Sequence, residues 1–193
     1  MTAGASLRTF IDRLVPLLPG DFAPAVSTID TSKARPGAGV ADLPVLRFWP
    51  QLCAGAGALM APIAAMSKEL RWVQNPNYVA NPPDPNFLTN YGYAVLAGPG
   101  GLVETDRLAL GVLLLGPNTH YPSHRHPAIE IYIVAAGRAE WRKGEEAWRV
   151  EAPEAVIRHD SMMLHATRTL VEPLLAVYVW QGDLKTYARI VTR

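Results

Sequence analysis

Two histidines, a glutamate and a tyrosine stand close together in the stretch YPSHRHPAIEIYIVAAG, residues 121–137. His124 and His126 are two residues apart, Glu130 lies four further on, Tyr132 follows two beyond it, and Gly137 closes the stretch. In extended chain, side chains at i and i+2 project from one face, so each close pair points one way. Two imidazoles and a carboxylate make most of a coordination sphere for a borderline divalent cation. His165, in the later strand-like run MMLHATRTL, adds a third nitrogen. His124, His126, Glu130 and His165 therefore predict one divalent ion, Zn, Fe(II), Mn(II) or Ni(II). Four such ligands leave a position open for water or substrate, as catalytic sites do.

These residues need a β scaffold, and from Tyr91 onward the chain reads as one. Short β-branched and aromatic runs (YGYAVLA, LALGVLLLG, AIEIYIVAAG, AEWR, EAWRVEA, LLAVYVWQG) alternate with turn signals. Lys143-Gly144 reads as a hairpin turn. At least six short strands with no helix between them predict an antiparallel barrel or sandwich. Before it, apolar positions at Leu7, Phe10, Ile11, Leu14 and Leu17 predict a helix from Ser6, as N-cap, to Leu18. A polar stretch covers Ser27 to Gly39, and a second helical region runs from Leu43 to Leu70 with a break at Pro50 and a small-residue run, AGAGA, inside it. Pro76, Pro82, Pro83 and Pro85 make residues 75–90 neither helix nor central strand. That stretch is either a boundary or a loop over the barrel mouth. The expected organisation is a helical extension, residues 1–75, packed on a barrel, residues 76–193.

Composition limits the function classes. A net charge of +1 and no basic cluster argue against nucleic acid and against electrostatic membrane attachment. Charges in MTAGASLRTFIDRL and the lack of a long apolar run predict a cytoplasmic protein with no membrane span. Cys53 is the single cysteine, so thiolate zinc ligation and an internal disulfide are out; it reads as a buried, inert thiol. The chain is expected to act as a monomer or homodimer on a small molecule.

From Gly111 to Trp180, the H-x-H-x₃-E-x₆-G spacing resembles the first motif of the cupin superfamily, and His165 falls where the second motif's histidine would. The fold implied is mainly β, a cupin barrel with an N-terminal helical extension. Two positions depart from the family pattern: its leading glycine would sit near Asn118, with Gly116 two positions off, and Asp160-Ser161-Met162 replaces the second motif's P-x-G. The set Tyr121, His124, His126, Glu130, Tyr132, His165 and Trp180, behind a helical part, looks like the Q-type cupin lyases of dimethylsulfoniopropionate (DMSP). That resemblance implies a metal-dependent β-elimination to dimethyl sulfide and acrylate, with Tyr132 as general base.

The implied chemistry is physically sound. The proton next to a free carboxylate is weakly acidic, and a metal on that carboxylate stabilises the developing charge. A tyrosine has a pKa of about 10, and a nearby divalent cation favours its phenolate. The substrate's sulfonium suits aromatic faces, each worth about 0.5–2 kcal/mol; Tyr121, Tyr178 and Trp180 are the candidates. Tyr121 has the wrong parity to face His124, but Pro122 interrupts the strand between them. Two alternatives stay open: a cupin Fe(II) dioxygenase using the same ligands, and a non-enzymatic cupin that binds a small acid. His120 and His159 read as loop histidines, Trp141 and Trp148 as a cross-strand pair, and Glu145, Glu146 and Glu151 as a solvated face.

Overall fold

The computed structural model describes residues 2–35, 42–54 and 57–191. The first helix, α1 (Ala3–Leu14), buries Leu7, Phe10, Ile11 and Leu14 on one face. Its cap is Thr2, whose hydroxyl accepts from the amide of Ala5, and not Ser6, which lies buried inside the helix. Beyond α2 (Ala23–Ser27), the expected second helical region is broken into short pieces. Pro44 and Pro50 each fall in the first turn of a new segment, a 3₁₀ turn and then α3 (Trp49–Cys53). Proline is tolerated there because that N–H has no partner to lose. The next piece is α4 (Met60–Ala65). Part of AGAGA and of the polar stretch before Gly39 lies outside the described residues. Cys53 is exposed, contrary to expectation, because its neighbour Leu52 takes the core-facing position.

The sheet begins with β1 (Trp72–Val73). Residues 75–90 contain helix after all: Asn75 caps α5 (Pro76–Ala80), with Pro76 in its first turn. Then follow β2 (Tyr91–Ala97), β3 (Ala109–Leu115), β4 (His120–Arg125), β5 (Ile129–Lys143), β6 (Arg149–Val150), β7 (Val156–His159), β8 (His165–Gln181) and β9 (Arg189–Ile190). Among the described residues these nine strands form one sheet, and every strand pair is antiparallel. The chain is mainly β with N-terminal helices. AIEIYIVAAG and AEWR, read as two strands, are one continuous strand, β5. Among the described residues no helix is long and apolar enough to cross a membrane.

Two long strands organise the curl. β5 and β8 pair along most of their lengths, with irregularities at Val134/Ala136 and Gly137/Ala139. The start of β8 pairs on its other edge with β4, and its end with β3. Gly137 sits at the bend with φ +79, and a Cβ there would collide with the carbonyl of Pro173. Only glycine meets both demands. Alternation then sorts the strands into two faces. Ile131, Ile133, Val177, Val179, Val112 and Leu114 join the helices in one core. Glu130, Tyr132, Tyr178 and Trp180 alternate with them and face the inside of the curl, where the aromatic cluster lies.

The two departures from the cupin pattern keep the backbone that glycine would favour. Asn118 has φ +52 and Met162 φ +62. Asn118 donates its amide to Leu170 O, and Met162 donates its amide to His126 O at 2.9 Å. Asparagine tolerates this left-handed conformation; for methionine it is strained.

Candidate metal centre

Strand register brings the sequence's scattered ligands together. His124 on β4 and His165 on β8 are direct cross-strand partners, with ring centroids 4.1 Å apart. A bulge between Tyr121 and His124 corrects their parity, and the two rings stack at 3.9 Å, 4° from parallel. Glu130 on β5 has two partners in one row, His159 on β7 and Trp180 on β8. His126, Glu130 and His165 each offer one ligand atom, all within 4.8 Å of one another. His124 packs against this group without being part of it.

The hydrogen bonds fix what these rings present. Nδ1 of His124 lies 2.8 Å from Pro122 O, Nδ1 of His126 3.1 Å from Ala128 O, and Nδ1 of His165 2.8 Å from Met163 O. A carbonyl only accepts, so each Nδ1 carries the proton, and Nε2 is the nitrogen left free of that contact. Nε2 of His126 and of His165 stand 3.1 and 3.3 Å from Oε2 of Glu130, a residue 0% exposed. Burial favours a neutral Glu130, but the nitrogens of His126, His159 and His165 outweigh it and hold the carboxyl well below its usual range. Two imidazole nitrogens thus crowd one buried carboxylate, and Nε2 of His165 has no hydrogen-bond partner. A cation among these three atoms would give each of them a partner. The residues present fit a divalent ion.

Trp180 does more than line a wall. Its indole N–H donates to Oε1 of Glu130 at 2.5 Å, and its ring stacks on His126 at 4.1 Å. Tyr132 is buried, lies across from Tyr178 in the β5–β8 ladder and packs on Trp141. Burial, and then the charge of Glu130, push its phenol well above the usual range. The protein's own field therefore opposes a phenolate at Tyr132, and a positive charge is needed to offset it.

Beside this group opens a cavity of about 120 Å³. Of the chain's seven tyrosines, Tyr91, Tyr93, Tyr121, Tyr132, Tyr178 and Tyr187 line it, with Glu130 and Trp180. The seventh, Tyr78 of α5, shares a 2.9 Å hydrogen bond with the hydroxyl of Tyr121. Asn75 reaches the cavity too and ties down the C-terminal segment by donating to Ala188 O. The proline-rich stretch thus helps to cover the barrel's interior. Among the described residues, no lysine or arginine lines the cavity.

His159 is the residue that reading the sequence missed. Far from a solvated loop, it ends β7, is 1% exposed and places Nδ1 3.5 Å from Oε2 of Glu130. Burial lowers its pKa to about 4, so it is neutral near pH 7. Alternation in VIRH was the only clue, and it is weak over four residues. His120 opens β4 and is exposed, its ring at the edge of Trp148. Trp141 and Trp148 are not a pair: the residue opposite Trp141 is Arg149, while Trp148 lies against Arg142 and Arg168.

A family model described as dimethylsulfoniopropionate lyase matches residues 43–176. The chain is 38% identical over 101 residues to dimethylsulfoniopropionate lyase DddQ of Ruegeria pomeroyi, covering 52% of this chain and 50% of that protein. It is 37% identical over 95 residues to the putative dimethylsulfoniopropionate lyase DddL of Cereibacter sphaeroides, covering 48% and 39%. The matches thus span about half, or less, of these curated relatives' lengths. In structure, the chain superposes on the crystal structure of DddQ from R. pomeroyi DSS-3 with TM-score 0.82 and 26% identity, over 97% of this chain and 95% of that one. A second crystal structure, from work on the DMSP lyases RdDddP and RnDddQII, gives TM-score 0.77 at 23% identity over 99% and 100%, a likeness of fold.

Proposed function

This chain belongs to the dimethylsulfoniopropionate lyase family, and from that membership and its site we propose that it cleaves DMSP to dimethyl sulfide and acrylate by metal-dependent β-elimination. One observation carries the reading. Glu130, which groups with His126 and His165, lines a cavity walled by tyrosines and free of lysine and arginine among the described residues. A zwitterion with a soft cation at one end suits such walls. Its carboxylate finds no side-chain cation there, which supports an ion as its partner.

A divalent ion held by His126, Glu130 and His165, with His124 beside them, would supply a Lewis acid for the substrate carboxylate. Tyr132, as phenolate, takes the proton from the carbon next to that carboxylate. The C–H electron pair becomes the double bond of acrylate, and the C–S pair leaves on sulfur as dimethyl sulfide. Charge balances: a zwitterion and a phenolate give a carboxylate, a neutral sulfide and a phenol. Tyr178 and Trp180, whose rings meet at 6.3 Å, face the sulfonium end together with Tyr121. The buried setting of Tyr132 excludes water that would otherwise solvate the phenolate and weaken it as a base.

The test is product stoichiometry under nitrogen. Elimination yields dimethyl sulfide and acrylate one to one without oxygen. A requirement for oxygen would overturn it in favour of oxygenation, and no product from folded, metal-loaded protein would favour a binding role.

A further inference from the structure

We infer that His159 is a positioning residue that, opposite Trp180, fixes the carboxylate plane of Glu130 for ion binding. The inference rests on the metal reading above and adds a residue to it. His159, Glu130 and Trp180 form one row across β7, β5 and β8. Trp180 donates to Oε1, and His159 brings Nδ1 to the Oε2 side. The carboxylate is thus approached at both oxygens by ring nitrogens from the two strands that flank it. A carboxylate has about four lone-pair sites, so one nitrogen beside each oxygen leaves room for a cation and for the imidazoles around it.

The orientation of His159 sets it apart. His124, His126 and His165 each direct Nδ1 to a backbone carbonyl two residues away, and His126 and His165 turn Nε2 to Glu130. His159 has no such carbonyl; its buried Nδ1 lacks any partner within hydrogen-bond distance and limits, and Oε2 of Glu130, at 3.5 Å, is the acceptor it approaches. Its ring lies flat on His165 at 4.0 Å and 11° and meets Tyr132 edge-on at 5.9 Å. Packed on both, it cannot swing to solvent without breaking the stack. Outer partners of this kind hold a ligand's geometry, and losing one costs about 10–100-fold in metal affinity.

The experiment measures zinc affinity by chelator competition for the full chain and for His159→Asn, His159→Gln and His159→Phe. Asparagine places an N–H near the position of Nδ1, glutamine near that of Nε2, and phenylalanine keeps only the stack. The expected result is near-native affinity for His159→Asn, within about threefold, and losses of about 10–100-fold for the other two. Melting curves without metal show which variants fold, and if His159→Phe fails, His159→Gln carries the comparison. Native affinity in the variants that lack the Nδ1-like donor overturns the inference, as does a His159→Asn as weak as His159→Gln. A wild-type chain that takes no zinc overturns the metal reading itself, and the role of His159 with it.

Discussion

Trp180 donates its indole N–H to Oε1 of Glu130 from the position directly across the β5–β8 ladder, while its ring covers His126. One side chain therefore touches two of the three residues that form the candidate metal group and also faces the cavity. An aromatic that only held a sulfonium would have no need of its N–H.

Trp180→Phe separates these roles. It keeps a ring over His126 and removes the donor to Glu130. Zinc affinity should fall by about tenfold or more, measured by chelator competition. Native affinity with a raised KM for DMSP would reduce Trp180 to a cavity wall.

Tyr132→Phe should leave zinc content unchanged and slow turnover by about 10²–10⁴-fold, the usual contribution of a positioned base. The hydroxyl is all that is removed, so packing on Trp141 and Tyr178 survives. A variant with near-native turnover would take the base role away from Tyr132.

Metal removal should be felt in stability as well as in rate. With zinc at about 100 times its dissociation constant, binding stabilises the fold by about 2.7 kcal/mol. For a chain of this size that is about 5–10 °C in melting midpoint, lost on chelation and regained on adding zinc. His126→Ala should melt at one temperature with or without zinc. A wild-type midpoint that ignores chelator would contradict the site.

Two backbone variants should move stability in opposite directions. Gly137→Ala places a methyl against Pro173 O at φ +79 and should cost about 3 kcal/mol or more. Met162→Gly relieves a left-handed methionine that is about half exposed. Strain relief of about 1–2 kcal/mol, less the extra chain entropy of glycine, should leave a gain of a few tenths to about 1 kcal/mol. Denaturant midpoints check both; a stabilised Gly137→Ala or a markedly destabilised Met162→Gly would show that the bend or the turn is misjudged.

These positions also mark what could be read from residues alone. The local spacings carry far: H-x-H, the glutamate and the tyrosine lie within one turn-linked pair of strands, and Gly137 follows at the bend. Asn118 and Met162 looked like departures, because the motif is written in residue types while the fold demands a φ. What stayed hidden depends on register between distant strands. His159 meets Glu130 only because β7 and β5 pair at that row, and Trp148 turns to Arg142 and Arg168 because Arg149, one residue on, takes the place opposite Trp141. Cys53 was misplaced for a related reason. In a five-residue helix, a shift of one position separates the core from solvent, and Leu52 holds the core side.

Headspace dimethyl sulfide above the zinc-loaded chain and DMSP, recorded with and without chelator, tests the central claim most directly. Dimethyl sulfide is expected from the loaded protein, with its loss on chelation and its return when the ion is restored. Release that continues unchanged in chelator, or none from loaded and folded protein, would contradict it.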